Sequence, residues 1–249
     1  MSRAVLWSAF KDTWPTKPLV QVTDAQRPIC YGILKPKTTG DLVVPYVEVR
    51  SIDSGRIETA ALPRTTLALH EEFKRSELRS GDVVLAIRGS WDRAAVVPPE
   101  LDGANVSRDV ARIAPEPELD PGFLSHYLAS PRAVRFFAGA ARGVGVRGVN
   151  IGDLRSMPVP VPSPGEQRKA VSEIERSLSL VASLEAEITA ALRRSRSLRV
   201  SVLSAAFAGR LTTQDPNDEP ASALLEQIAA ALSGHKPTKA RQCRRKVSA

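Results

Sequence analysis

Cysteine and histidine are scarce in this chain, with two of the first and three of the second among 249 residues. Cys30 and Cys243 alone exclude a disulfide scaffold and any all-cysteine zinc site. His70, His126 and His235 are scattered and supply no local metal-ligand spacing. No apolar run approaches the ~20 residues that a membrane span needs. Lys11 and Asp12 come too early to leave room for a secretory apolar core. These absences predict a reducing, cytoplasmic setting with no membrane. What remains is an ordinary globular composition, 43% hydrophobic and 25% charged, long enough for one or two domains.

Acidic residues are the minority, and the net charge is +8. The excess is unevenly placed. The last fifteen residues, HKPTKARQCRRKVSA, contain many Lys and Arg and no Asp or Glu. A stretch of that kind, 235–249, is expected to be a disordered basic tail that attracts polyanions. The body is close to neutral, so a nucleic-acid surface on it must be a local patch.

Three regions follow one another. Residues 1–160 hold short Val- and Ile-rich segments broken by Pro and Gly, such as LVVPYVEV (42–49), GDVVLAI (81–87) and VSRDVARIA (106–114), which read as strands. One helix is expected from Pro121 to Phe137, and a glycine-rich loop over 139–154. MPVPVPSP (157–164) alternates proline with apolar residues, which suits an edge strand or an extended linker. From Gly165 to Phe207 proline disappears. Ser163, Pro164 and Glu166 have the spacing of a capping box with proline at the first helical position. Steps of four and three then run through Ala170, Ile174, Ser177, Val181, Leu184, Ile188, Ala191, Ser195, Leu198, Val202 and Ala205, a heptad seam. Such a helix reaches roughly 60 Å at about 1.5 Å per residue. Ile174, Val181, Leu184, Ile188, Leu198 and Val202 are therefore the expected dimerisation residues. The division predicted is an α+β domain at 1–160, a long coiled-coil helix at 161–211, a loop and short helix at 212–234, and the tail.

Two chemical motifs are decoys. Gly143, Gly145 and Gly148 match the dinucleotide spacing G-x-G-x-x-G, but a helix precedes them and MPVPVP follows, where that motif needs a strand before and a helix after. Asp53, Glu72 and Lys74 have the residue types of a metal-dependent nuclease, two carboxylates for Mg²⁺ and a lysine. They define the alternative reading, a stand-alone DNA-cleaving or DNA-modifying enzyme. A coiled-coil adaptor binding only proteins is a third. No serine or cysteine nucleophile elbow and no amide motif for an extruded base is present.

The polar loops point elsewhere. Segment 30–37 offers Tyr31, Lys35 and Lys37; segment 86–93 offers Arg88, Ser90, Trp91 and Arg93 just beyond a strand. Asn105, Ser107 and Arg108 follow in 105–112, and the glycine-rich loop carries Arg142, Arg147 and Asn150. Arginine bidentate to guanine and asparagine to adenine are the physical means of reading duplex DNA. Arg88 and Arg93 are the expected base readers; Lys35, Lys37, Arg142 and Arg147 suit phosphate.

The ordered succession of Tyr31-Gly32-Ile33 with Lys35-Pro36, Gly81-Asp82-Val83-Val84 with Arg88-Gly89, Asn105-Val106-Ser107-Arg108, Val149-Asn150, Pro158-Val159-Pro160 before Glu166-Gln167-Arg168, and Ala206-Phe207-Ala208-Gly209-Arg210-Leu211 before Gln214-Asp215-Pro216 resembles the specificity (S) subunit of type I restriction–modification systems. The typical subunit has two target-recognition domains and two spacer helices; here there is one of each. The resemblance implies a half-size form that reads one half of a bipartite site in double-stranded DNA. It also implies a homodimer, or pairing with another half-size chain. The partners it implies are a methyltransferase (modification) subunit, docked on the helical region, and a restriction subunit. S-adenosylmethionine, ATP and Mg²⁺ would then sit on those partners, and this chain would be non-catalytic.

Overall fold

A computed structural model describes residues 9–35, 39–141, 148–212, 217 and 219–233. Its internal contacts divide the chain into two units, residues 1–186 and 187–249. In chain order the first unit opens with β1 (Thr16–Pro18), β2 (Cys30–Tyr31), β3 (Leu42–Val47), β4 (Ile52–Asp53), β5 (Arg56–Ile57) and β6 (Arg64–Thr66). Helix α1 (Leu67–Glu72) leads to β7 (Val83–Ala86), β8 (Ala94–Val96), β9 (Asn105–Val106) and β10 (Val110–Ile113). Then come α2 (Pro121–Leu128), α3 (Pro131–Ala140), α4 (Ile151–Ser156), β11 (Pro158–Pro160) and the long α5 (Pro164–Phe207); α6 (Ala221–Ser233) is last. The class is α+β.

The central sheet has the order β2-β10-β7-β8, antiparallel throughout. Its middle strand explains why GDVVLAI is a continuous apolar run instead of an alternating one. Val83, Leu85 and Ile87 face one core, with Phe10, Phe123, Leu124 and Leu128. Val84 faces a second core, with Val47, Ile52, Leu78 and Val97. A strand buried on both faces needs apolar side chains in both directions. Arg112 on β10 is the exception. Buried to 2% exposure, it donates to the carbonyls of Arg27, Pro28 and Arg75 at 3.0, 3.1 and 2.9 Å. Carbonyls around both Nη groups offset the cost of burying this charge, although Nε has no hydrogen-bond partner.

The expected helix over Pro121–Phe137 is two helices. Ser130 caps the second, accepting from Ala133 N at 3.4 Å, and Pro131 takes its first position, where a missing N–H costs nothing. The glycine-rich loop likewise contains a helix, α4, on its C-terminal side. MPVPVP does form an edge strand. β11 pairs antiparallel with β1, Val159 opposite Lys17, and the flanking bonds Leu19 N to Met157 O and Val161 N to Pro15 O complete the ladder that prolines cannot donate to.

The capping box is present. Ser163 N and Oγ both donate to Glu166 Oε2, at 3.1 and 2.8 Å, and Glu166 N returns a bond to Ser163 Oγ at 3.4 Å. Trp14 Nε1 donates to the other carboxylate oxygen at 3.2 Å. The Ser163 hydrogen bonds, with that from Trp14, hold the Glu166 carboxyl below the ordinary glutamate range. Gln167, buried to 1% exposure, accepts from Asp120 N at 2.8 Å and donates to Glu118 O and Pro162 O at 3.0 Å each. Ala170 and Ile174 follow it into the first core, and Val171 and Leu178 lean on that core. The first turns of α5 therefore belong to the domain. Ile174, expected at a dimer seam, is a core residue instead, because its 1% exposure leaves nothing for a partner.

In the second unit, helix residues 187–207 and α6 have no buried position among the described residues. Ile188, Leu192, Leu198, Val202 and Leu203 are 45–65% exposed, and Leu224, Leu225, Ile228 and Leu232 on α6 are 46–70% exposed. Residues 235–249 lie outside the described residues. Among the described residues, no helix is long and apolar enough to cross a membrane.

Candidate nucleic-acid interface

Four loops that are far apart in sequence meet at one end of the central sheet. Antiparallel pairing puts the C-terminal ends of β2 and β7 beside the N-terminal ends of β10 and β8. Backbone hydrogen bonds lace the loops together beyond the strands. Ile33 N donates to Val106 O at 2.8 Å, and Arg108 N to Ile33 O at 2.9 Å. Ile87 N donates to Asp109 O, and Val149 N to Ile87 O, both at 2.9 Å. Gly32 is required here, since a Cβ at that position would lie 1.9 Å from Val106 O.

The expected residues separate into two groups at this end. Arg88 and Arg108 have side chains 50% and 51% exposed. Lys35 and Asn150 are exposed, and Asn150 heads α4 without spending its amide on the cap. Tyr31 and Ser90 are half-buried, with the Arg75 guanidinium 5.9 Å from the Tyr31 ring centroid. Trp91 is half-buried and packs against the first core. Lys37, Arg142 and Arg147 lie outside the described residues.

Two of the expected readers are structural. Asn105 is fully buried. Its Oδ1 accepts from Ser76 Oγ at 2.7 Å and from Val106 N at 2.8 Å, which fixes the amide orientation. Its Nδ2 then donates to Phe73 O and to His70 Nδ1, at 3.2 Å each. His70 must carry its proton on Nε2, which faces Glu77 Oε2 at 3.3 Å. Burial raises the Glu77 carboxyl, but its bond to Lys74 and the nearby His70 outweigh that and hold it below its ordinary range. Arg93 donates through Nη1 to the carbonyls of Val49 and Ile52 at 3.3 and 2.8 Å and so ties two loops together. The Asn105 amide is fully engaged, and Arg93 commits its Nη1 to backbone carbonyls.

Residues that sequence reasoning passed over complete the site. Asp109 stands between Arg88 and Arg108, and a hollow of about 320 Å³ beside it is lined by Ile33, Glu48, Arg50, Ser107 and Arg108. Glu48 and Arg50 pair across 2.6 Å. Only the position of Asp109 at the mouth of a strand could have drawn notice in the sequence.

The nuclease-like set is not brought together by pairing. Asp53 pairs in register with Arg56 in the β4–β5 hairpin, and Lys74 pairs with Glu71 and Glu77, not with Glu72. Among the described residues no three His, Cys, Asp or Glu side chains are grouped to hold a metal ion.

The chain thus combines a β scaffold that presents basic and amide side chains from convergent loops with a long helix. No protein-family model matches the sequence. It is 31% identical over 236 residues to the type I restriction enzyme EcoBI specificity subunit of Escherichia coli, covering 90% of this chain and 50% of that protein. To the EcoKI specificity subunit of Escherichia coli strain K12 it is 26% identical over 227 residues, covering 81% and 47%. Among solved structures, a chain from work on complex assembly and conformational transition of the type I R-M system aligns with a TM-score of 0.63 at 20% identity, over 81% of this chain and 47% of that one. The HsdS subunit from Thermoanaerobacter tengcongensis aligns with a TM-score of 0.57 at 19% identity, over 84% and 50%. The chain is a homologue of the specificity subunits of type I restriction enzymes, and it spans about half the length of the relatives it matches.

Proposed function

We propose that this chain is the sequence-specific DNA-recognition component of a type I restriction–modification complex and reads one half of a bipartite duplex site. The observation that carries this reading is the convergence of segments 31–35, 87–93, 105–109 and 148–150 at one end of the sheet, in a chain homologous to specificity subunits over nine-tenths of its length. Arg88, Arg108 and Asn150 supply donors suited to base edges, and Lys35 a charge suited to phosphate. The apolar stripe of α5 from Val181 onward pairs with a second long helix, in a homodimer or with another half-size chain. Leu180 and the arginines 193, 194, 196 and 199, with the apolar face of α6, dock the modification subunit. The chain itself performs no chemistry: S-adenosylmethionine belongs to the modification subunit, and ATP and Mg²⁺ to the restriction side of the complex.

Binding to duplex DNA tests this directly. The full chain with its modification subunit should bind duplex DNA with an affinity that falls linearly, on logarithmic axes, with rising salt, because neutralised phosphates release counterions. No salt-sensitive binding with the subunit present would contradict the proposal and favour a protein-only adaptor.

A further inference from the structure

One carboxylate at the loop end of the sheet stands between two arginines. Asp109 Oδ1 lies 3.6 Å from Nε of Arg88 and 3.7 Å from Nε of Arg108. Both distances exceed a hydrogen bond, and Oδ1 is buried without a hydrogen-bond partner. Its role toward the two guanidinium groups is electrostatic. Two like charges held side by side repel, and a carboxylate between them offsets that repulsion and sets their separation.

Arg88 is constrained from a second side. A Cβ built on Gly148 would lie 3.1 Å from Arg88 Cγ and 3.2 Å from its Nε, so the arginine stem lies flat against bare backbone. Arg88 and Gly148 form an antiparallel bridge, and the Ile87 bonds to Asp109 and Val149 hold the three segments in place. The carboxylate faces the Nε atoms. Each arginine therefore has its two terminal Nη groups left to meet an outside acceptor pair.

We propose that Arg88 and Arg108 are a guanine-reading pair, and that Asp109 and Gly148 are positioning residues that determine specificity by fixing the two guanidinium planes; this rests on the DNA-recognition reading. Guanine presents O6 and N7 as adjacent acceptors in the major groove, which two parallel N–H groups of one arginine match. Adenine and cytosine turn an amino donor toward that groove and do not accept a fork of donors. A flexible arginine tolerates several placements and meets phosphate as well as a base; one held by a carboxylate and a bare backbone does not.

The test selects duplexes from a library randomised at every position, using the full chain with its modification subunit. The wild-type selection should contain guanines whose preference Arg88→Ala and Arg108→Ala abolish. Asp109→Asn keeps the shape and removes the charge. Gly148→Ala requires no left-handed backbone and displaces Arg88 by a few tenths of an ångström. Each should reduce guanine preference at those positions roughly ten- to hundredfold. The thermal unfolding midpoint should not fall, which separates positioning from a structural role, and losses of affinity should be larger on the selected motif than on random duplex. An unchanged motif in both variants overturns the proposal while leaving DNA recognition standing. Equal losses on selected and random duplex overturn it in favour of phosphate anchoring. A wild-type complex that selects no motif refutes the recognition reading itself, and this proposal with it.

Discussion

Replacing Leu184 and Ile188 together by Asp is expected to turn an associated chain into a monomer without unfolding residues 9–174. The two positions lie one helical turn apart on one face of α5 and are 48% and 60% exposed in the single chain, so neither substitution disturbs the domain core. In a helix pair they are covered. A buried, unpaired carboxylate costs several kcal/mol, and each chain contributes two. Self-affinity should fall on the order of a thousandfold or more, about 4 kcal/mol. Sedimentation at a series of concentrations reads this directly, with circular dichroism as the check on folding. The paired control is Ile174→Asp, which should unfold the domain, because Ile174 is 1% exposed in its core. A wild-type chain that sediments as a helical monomer at all concentrations would refute the self-pairing.

Asn105→Leu is expected to destabilise the first unit by about 3 kcal/mol or more. The substitution removes four hydrogen bonds at once and leaves Val106 N and His70 Nδ1 without their partner, while Ser76 Oγ and Phe73 O keep the bond between them. A buried polar group without its partner costs about 1–3 kcal/mol, and His70 is 4% exposed. Against a typical domain stability of about 5–15 kcal/mol this is a large fraction. Urea unfolding measures the loss. Base preference among the folded molecules should be unchanged. A variant of wild-type stability that loses selectivity for one base would instead make Asn105 a reader.

The features that sequence revealed are those with local causes. The α5 start rests on Ser163, Pro164 and Glu166 within four residues. Val83–Ala86 is a strand because its side chains are β-branched or aliphatic throughout. The Ser130-Pro131 pair held a local cap signal of the same kind, overridden by the apolar spacing that continues across it. What the sequence hid depends on partners far along the chain. Asn105 and Arg108 are three residues apart and of similar polarity, yet one is fully buried by Ser76, 29 residues earlier, and the other reaches solvent. Nothing local distinguishes Arg88 from Arg93 either; the carbonyls of Val49 and Ile52, more than forty residues away, engage Arg93 alone. The heptad seam was visible, but its first two turns serve the domain, because Ala170 and Ile174 meet Phe123 and its neighbours in the folded chain. Convergence of the loops at one end of the sheet follows from strand order, which no single segment encodes.

If recognition lies on this chain and chemistry on another, methyl transfer to DNA requires both proteins. Purified chain, S-adenosylmethionine and duplex carrying the selected motif are combined with and without the modification subunit of the same system. Transfer should occur only when both proteins are present, and it should be lost from duplex in which the guanines of the motif are replaced. Methyl transfer by the chain alone, or transfer by the subunit that is indifferent to the chain and to the motif, would contradict it.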